Sequence, residues 1–140
     1  MSDKVFIDTN LWVYLYSDEN KGHKIRQLID NHFNNVIMST QVLGELFSVL
    51  VKKGFKSKKE SKEIISDLMN SFIIISIDGA AVNKAISLCI KYRYRYWDSL
   101  IIASACQNDC SILYSEDLQH GQIIENNLKI INSFNAQITS

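Results

Sequence analysis

The chain has 140 residues, 46% of them hydrophobic, and sets 15 basic side chains against 15 acidic ones. This is enough for a single domain with a buried core, 1–140, and too little for two; zero net charge argues against coating nucleic acid by bulk charge. The longest apolar runs, FIII and LIIASAC, fall far short of the ~20 residues a membrane span requires, so no membrane association is expected.

The amino terminus, MSDKVFIDTN, has an acid and a short apolar patch where a secretory signal has a basic start and a longer apolar region, so a cytoplasmic location is expected. VFI (5–7) reads as a strand, followed directly by Asp8, Thr9 and Asn10. In open α/β sheets ligands gather beyond the carboxyl ends of strands, which singles out Asp8. Position alone equally allows it to cap a helix over 11–17. A helix is predicted over 22–33, a strand at VIM (36–38) and a helix over 40–53 with Ser39 and Thr40 as caps. Within that helix Val42, Leu43, Leu46, Phe47, Val49 and Leu50 form an apolar stripe, with Glu45 on its border and Gly44 leaving room beside it. KKGFKSKK (52–59) then places five lysines in eight positions, a phosphate grip or simply a solvated turn.

A helix over 58–71, a strand in FIIISI (72–77) and a helix over 79–92 opened by Asp78 and Gly79 come next. KYRYRYWD (91–98) alternates cations and rings. Taken alone it suggests a strand, or a platform that stacks bases and binds phosphates; the better reading ends the helix near Tyr92 and uses Tyr96 and Trp97 to pack the junction before Asp98. The helix over 98–109 is apolar on nearly every face and therefore buried, with Asp98 and Ser99 at its start. Capping would fully explain Asp98 taken singly. Cys89, Cys106 and Cys110 form no CxxC pair and have no His at zinc-site spacing, so reduced, packed thiols are expected. SILYS (111–115) is a strand followed by Glu116 and Asp117, and Ser115 with Asp117 could form a side-chain turn. LKII (128–131) is the last strand, and a polar, fraying tail is expected from about Asn132. The alternation predicts an α/β domain with a mainly parallel sheet.

Four acids at element ends or helix borders on one side of one sheet repel and raise one another's pKa unless a cation neutralises them. An all-oxygen set suits Mg²⁺ or Mn²⁺. The segments VFIDTNLWVYLYS, STQVLGELFSVLVKKG and YRYWDSLIIASACQNDCSILYSEDLQHG together resemble the PIN domain family, and most closely its VapC-type ribonuclease toxins of bacterial toxin–antitoxin pairs. The resemblance implies a three-layer α/β/α sandwich with a parallel sheet of about five strands. It assigns the family's acidic quartet to Asp8, Glu45, Asp98 and Asp117 as catalytic and metal-holding residues. Asn10 matches the DTN signature and Ser115 the hydroxyl residue before the last acid; Glu116 is a secondary candidate. It further implies Mg²⁺- or Mn²⁺-dependent hydrolysis of RNA that leaves a 5′-phosphate and a 3′-hydroxyl, a cognate antitoxin, and a homodimer. The INSF segment lacks the proline often found there, which leaves the last strand's end open. Candidate RNA contacts are Arg93, Arg95, Lys52, Lys53 and His120.

Two other readings stand beside this one. The same fold could serve as a binding module that docks an antitoxin or an RNA-processing partner without nuclease activity. A phosphatase of the haloacid dehalogenase type needs a second acid two residues after its nucleophile, and here Asp8 is followed at that spacing by Asn10. Trp12, Tyr14, Tyr16, Leu46 and Leu50 could form a docking surface or belong to the core.

Overall fold

A computed structural model describes residues 3–135. Short runs of branched residues form the strands and the longer amphipathic segments form helices. In chain order these are β1 (Val5–Ile7), α1 (Thr9–Ser17), α2 (Glu19–Asn31), β2 (Val36–Ser39), α3 (Thr40–Lys52), α4 (Lys58–Ser71), β3 (Ile73–Ile75), α5 (Gly79–Tyr92), α6 (Tyr96–Gln107), β4 (Ile112–Tyr114), β5 (Ile123–Ile124) and β6 (Leu128–Ile131). The sheet order is β3-β2-β1-β4-β6-β5. Its first five strands pair in parallel, and only β5 runs antiparallel, against β6.

The sheet thus has the five expected parallel strands and one more. β5 is two residues long, too short for any alternation to betray it, and the turn into β6 is built on the positive φ angles of Glu125 (50°) and Asn126 (65°). Such a turn is ordinarily announced by Gly or Asn, and Glu in the first position masks it.

The order of strands determines where the helices lie. From β1 the chain steps to β2 and β3 in one direction, then returns past β1 to β4. Right-handed crossovers put α1–α4 on one face and α5 and α6 on the other. The helix contacts agree: α1 packs on α2 and α3, α3 on α4, and α5 on α6. β1, with helices over both faces, is buried at all three positions. Trp12 is fully buried, donates from Nε1 to the Ile7 carbonyl at 3.1 Å and meets Phe72 edge-on at 5.5 Å. Leu46 and Leu50 are equally buried, so these three belong to the core; Tyr14 and Tyr16 are half-buried against it.

Several helix starts differ from expectation. α1 begins at Thr9, and α2 begins at Glu19 because Asp18 caps it, accepting from the Lys21 amide at 2.9 Å. Ser39 caps α3 and Asp78 caps α5 as anticipated, while the Thr40 hydroxyl accepts instead from the Ile77 amide. The expected polar tail is partly ordered: Ser133 and Phe134 form a turn, and the Phe134 ring meets Tyr14 edge-on at 5.7 Å. The remainder of that tail, from residue 136, lies outside the described residues. All three cysteines are free thiols, and burial pushes Cys106 up to about 11 and Cys110 up to about 12, which leaves both protonated and inert.

α1 and α2 approach so closely that a Cβ on Gly22 would stand 2.6 Å from the Tyr14 carbonyl oxygen. Gly22→Ala should therefore lower stability by about 1–3 kcal/mol, read as a lower urea midpoint. Gly44→Ala, within α3 where a Cβ meets nothing within 4 Å, should raise it by about 0.5–1 kcal/mol.

Candidate active site

The direction of crossing reverses between β1 and β4, so their carboxyl ends flank the crevice where an open α/β sheet binds ligands. Asp8 follows β1 and Ser115 to Asp117 follow β4, and the two strand ends are joined by the Asp8 amide donating to the Tyr114 carbonyl at 2.9 Å. α3 brings Glu45 and α6 brings Asp98. A cavity of about 280 Å³ is lined by all four of Asp8, Glu45, Asp98 and Asp117, with Thr9, Asn10, Ser48, Arg95 and Trp97 also in its wall.

Each carboxylate is held by a named donor. Asp8 is 9% exposed; its Oδ1 accepts from the Thr9 amide at 2.7 Å and its Oδ2 from the Ser115 hydroxyl at 2.9 Å. The same Ser115 oxygen accepts from the Leu118 amide at 3.4 Å, which bends the chain after β4 and carries Asp117 toward the cavity. Asp117 accepts from the Asn10 side-chain amide at 2.6 Å. Glu45 accepts from the Thr9 hydroxyl at 2.7 Å and, at its other oxygen, from Gln41 Nε2 at 3.3 Å. Asp98 is paired with Arg95 Nε at 3.3 Å, an ion pair whose Arg side chain is 83% exposed and which contributes little energy.

Asp98 is not a helix cap. α6 starts two residues earlier, at Tyr96, after Arg95, which makes no side-chain cap bond. The carboxylate therefore stands in the first turn, where the helix dipole favours an anion without consuming its oxygens. Asp8 does bond at a helix start, but to the amide of the very next residue, which leaves the amides beyond it to other acceptors.

Burial raises the Asp8 carboxyl to about 6; the bonds from Ser115 and Thr9 oppose this, and the charges of Asp98 and Glu45 add to it. An anion there is thus under-compensated in the protein alone. The donor set, carboxylate and amide oxygens with no sulfur or imidazole, is of the kind Mg²⁺ and Mn²⁺ prefer, and so fits such an ion in chemistry. Among the described residues no three Asp, Glu, His or Cys side chains are already drawn together as a ready ligand group. The four carboxylates instead face a common space, each clasped by its own partner.

Other expected site residues fall elsewhere. Glu116 points away from the cavity; its Oε1 accepts from the Tyr14 hydroxyl and its Oε2 from Lys21 Nζ at 3.0 Å. Burial raises its pKa, but these bonds and the Lys21 charge outweigh that and hold it below the usual range. Its position ties the loop that carries Asp117 to α1 and α2. Arg93, at φ 64°, ends α5 in a left-handed conformation and is exposed outside the cavity wall, which Arg95 joins. His120 Nδ1 accepts from the Asn132 amide at 3.0 Å, a bond that anchors its loop to the end of β6. Lys52 and Lys53 are exposed at the end of α3; Lys52 follows Glu45, Ser48 and Val49 on one helix face, two turns or ~10 Å beyond Glu45.

Sequence reasoning missed Thr9, Gln41, Ser48 and Trp97. Gln41 and Ser48 lie four residues before and three after Glu45, a helical spacing that could have placed them beside it. Gly44, expected to leave room beside Glu45, opens instead onto an apolar groove between α3 and α4 with Phe47 and Met69.

Residues 5–135 match the PIN domain family, and the chain belongs to it. It is 30% identical to ribonuclease VapC1 of Aquifex aeolicus over 83% of each chain. Its fold is similar to that of a toxin–antitoxin complex from Klebsiella pneumoniae, with a TM-score of 0.72 at 17% identity over 94% of this chain and 98% of that one. It is also similar to Mycobacterium tuberculosis VapC20, a toxin that cleaves the sarcin-ricin loop, with a TM-score of 0.68 at 15% identity over 81% and 90% of the two chains.

Because Asp8 has a raised pKa, its ionisation should cost the metal-free protein stability as pH rises from about 4, the unfolded value, through about 6, and the deficit should persist above. Asp8→Asn retains an oxygen for the Thr9 amide and removes the charge. In EDTA at pH 7 it should be about 1–3 kcal/mol more stable than the parent, with the gain vanishing near pH 4 in urea melts.

Proposed function

We propose that the chain is a metal-dependent endoribonuclease and the toxin of a toxin–antitoxin pair. The observation that carries this reading is the convergence of four carboxylates, two from the ends of β1 and β4 and two from α3 and α6, upon one cavity at the switch point of the sheet. Its relationship to a ribonuclease at 30% identity supports the substrate class. The Klebsiella complex supports an antitoxin as partner, and homodimeric assembly in the cytoplasm belongs to the same reading.

Asp8 and Asp98 are the first choices to hold Mg²⁺ or Mn²⁺, with Glu45 and Asp117 completing the set. Such an ion supplies a Lewis acid for the scissile phosphate and a bound water of lowered pKa. The chain's own groups arrange this chemistry. Ser115 and the Thr9 amide hold Asp8 with both oxygens fixed in direction, and Thr9 and Gln41 do the same for Glu45. Asn10 steers Asp117, the most exposed of the four, toward the cavity. Arg95 is the cation in the wall and is placed to receive a phosphate that the carboxylates would otherwise repel. Lys52, further along the same face of α3, would meet the backbone beyond it.

Incubation with RNA should give products with a 5′-phosphate and a 3′-hydroxyl in Mg²⁺ or Mn²⁺ and none in EDTA. Asp98→Asn should remain folded by circular dichroism and lose at least about 100-fold in rate, and Ser115→Ala or Asn10→Ala should lose about 10–100-fold. Undiminished metal-dependent cleavage by folded Asp98→Asn would refute the assignment. Absence of cleavage with any divalent metal, with antitoxin binding intact, would favour the binding-module reading.

A further inference from the structure

We infer that Trp97 is the platform on which an unpaired base next to the scissile phosphate stacks, and that it governs substrate affinity rather than the chemical step; this rests on the nuclease reading above. The alternating segment KYRYRYWD is divided by the fold into two sets of rings. Tyr92 is engaged with Glu125, its hydroxyl donating at 3.1 Å and accepting from the Glu125 amide at 3.1 Å. The Tyr94 hydroxyl donates to Gln122 and accepts from the Gln119 amide at 3.2 Å. Both rings are thereby committed to the segment between β4 and β6, and neither lines the acidic cavity.

Trp97 is the exception. It was expected to pack the junction before Asp98, yet it is 61% exposed and lines the cavity of the four carboxylates. An indole left in water forgoes the burial free energy that a core position would supply. The residue is also anchored, at its backbone and on one side of its ring. Its backbone lies in the first turn of α6, its carbonyl accepts from Gln41 Nε2 at 3.1 Å, and Tyr96 meets it in a T-shaped contact at 5.0 Å. Gln41 donates to Glu45 as well, so one side chain ties the Trp97 backbone to the acidic set. A platform whose backbone is fixed in advance loses less freedom on binding.

The surroundings select a base as the occupant. The other exposed large apolar side chains, among them Phe47, Met69, Ile86 and Ile90, are absent from the wall of this cavity. A protein anchor is ordinarily ringed by further apolar surface, whereas the wall that Trp97 shares is mostly polar, with the four carboxylates, Thr9, Asn10, Ser48 and Arg95 against only Val49 and the buried Ile101. A flat neutral ring with an adjacent cation is the pairing that receives a base and its phosphate. Stacking needs a free base face, so the nucleotide must be single-stranded or turned out of a helix, and a purine, with its larger face, should bind better than a pyrimidine.

The two tryptophans make the test direct, since Trp12 is fully buried and Trp97 is not. With Ca²⁺ in place of Mg²⁺ to hold back cleavage, single-stranded oligoadenylate should quench the emission of the whole protein, and oligouridylate should do so more weakly. Trp97→Ala should weaken binding of labelled oligoadenylate by about 5- to 150-fold, Trp97→Phe should recover most of it, and neither should alter binding of duplex RNA. In Mg²⁺ the loss should appear in KM, with single-turnover cleavage at saturating protein within about threefold of the parent. Unchanged affinity in folded Trp97→Ala overturns the inference while cleavage keeps the nuclease reading. Strand binding through Trp97 without cleavage overturns the nuclease reading and keeps the platform. Emission that RNA leaves unmoved overturns the inference and gives the ring to a protein contact.

Discussion

Asp8 is a carboxylate at the end of a strand that helices cover on both faces, and the arrangement around it follows from having to keep it there. Burial raises its pKa, and nearby acids raise it further. The protein answers with two hydrogen bonds, one from the neighbouring amide and one from Ser115, just past the end of the adjacent strand. The second bond exists because the sheet changes direction between β1 and β4, which sets residues 107 positions apart side by side. What the bonds leave uncompensated is the electrostatic basis for a divalent cation.

The remaining acids are organised outward from this centre. Thr9 is shared between Asp8, through its amide, and Glu45, through its hydroxyl, so α1 and α3 are coupled at the site. Gln41 extends the coupling to the backbone of Trp97 at the start of α6. Glu116 stands outside the set, yet its bonds to Lys21 and Tyr14 fasten the β4 loop that presents Asp117. Small neutral donors position Asp8, Glu45 and Asp117, which keeps the cavity acidic while giving these three carboxylates a fixed direction.

Much of this was legible in the sequence. All five parallel strands fall where runs of branched residues predicted them; β1 and β2, covered on both faces, are buried at every position, while β3 and β6, further out in the sheet, are still rich in isoleucine. The acids were recognisable by their places after strands and on a helix border, and the resemblance of the motifs named the same four. Less legible were features set by contacts distant in sequence. β5 is too short to carry a pattern, and α6 begins two residues before Asp98 at a position that Arg95, with no side-chain cap bond, does not announce. His120 and Glu116 have the chemistry of site residues, and only the fold ties them to Asn132, Lys21 and Tyr14, outside the cavity wall.

The sequence by itself determined the alternation of strands and helices, the identity of the carboxylates and the apolar character of α6, since these depend on local periodicity and residue chemistry. Only the tertiary structure decided which members of each motif face the site. The tyrosines and arginines of KYRYRYWD look equivalent in one dimension. In the fold, Tyr92 and Tyr94 are drawn onto Glu125 and Gln122, Arg93 ends a helix away from the cavity, and Arg95 and Trp97 remain at its mouth. The physical reason is that hydrogen-bond partners and burial come from elements up to a hundred residues away, and no local pattern encodes them.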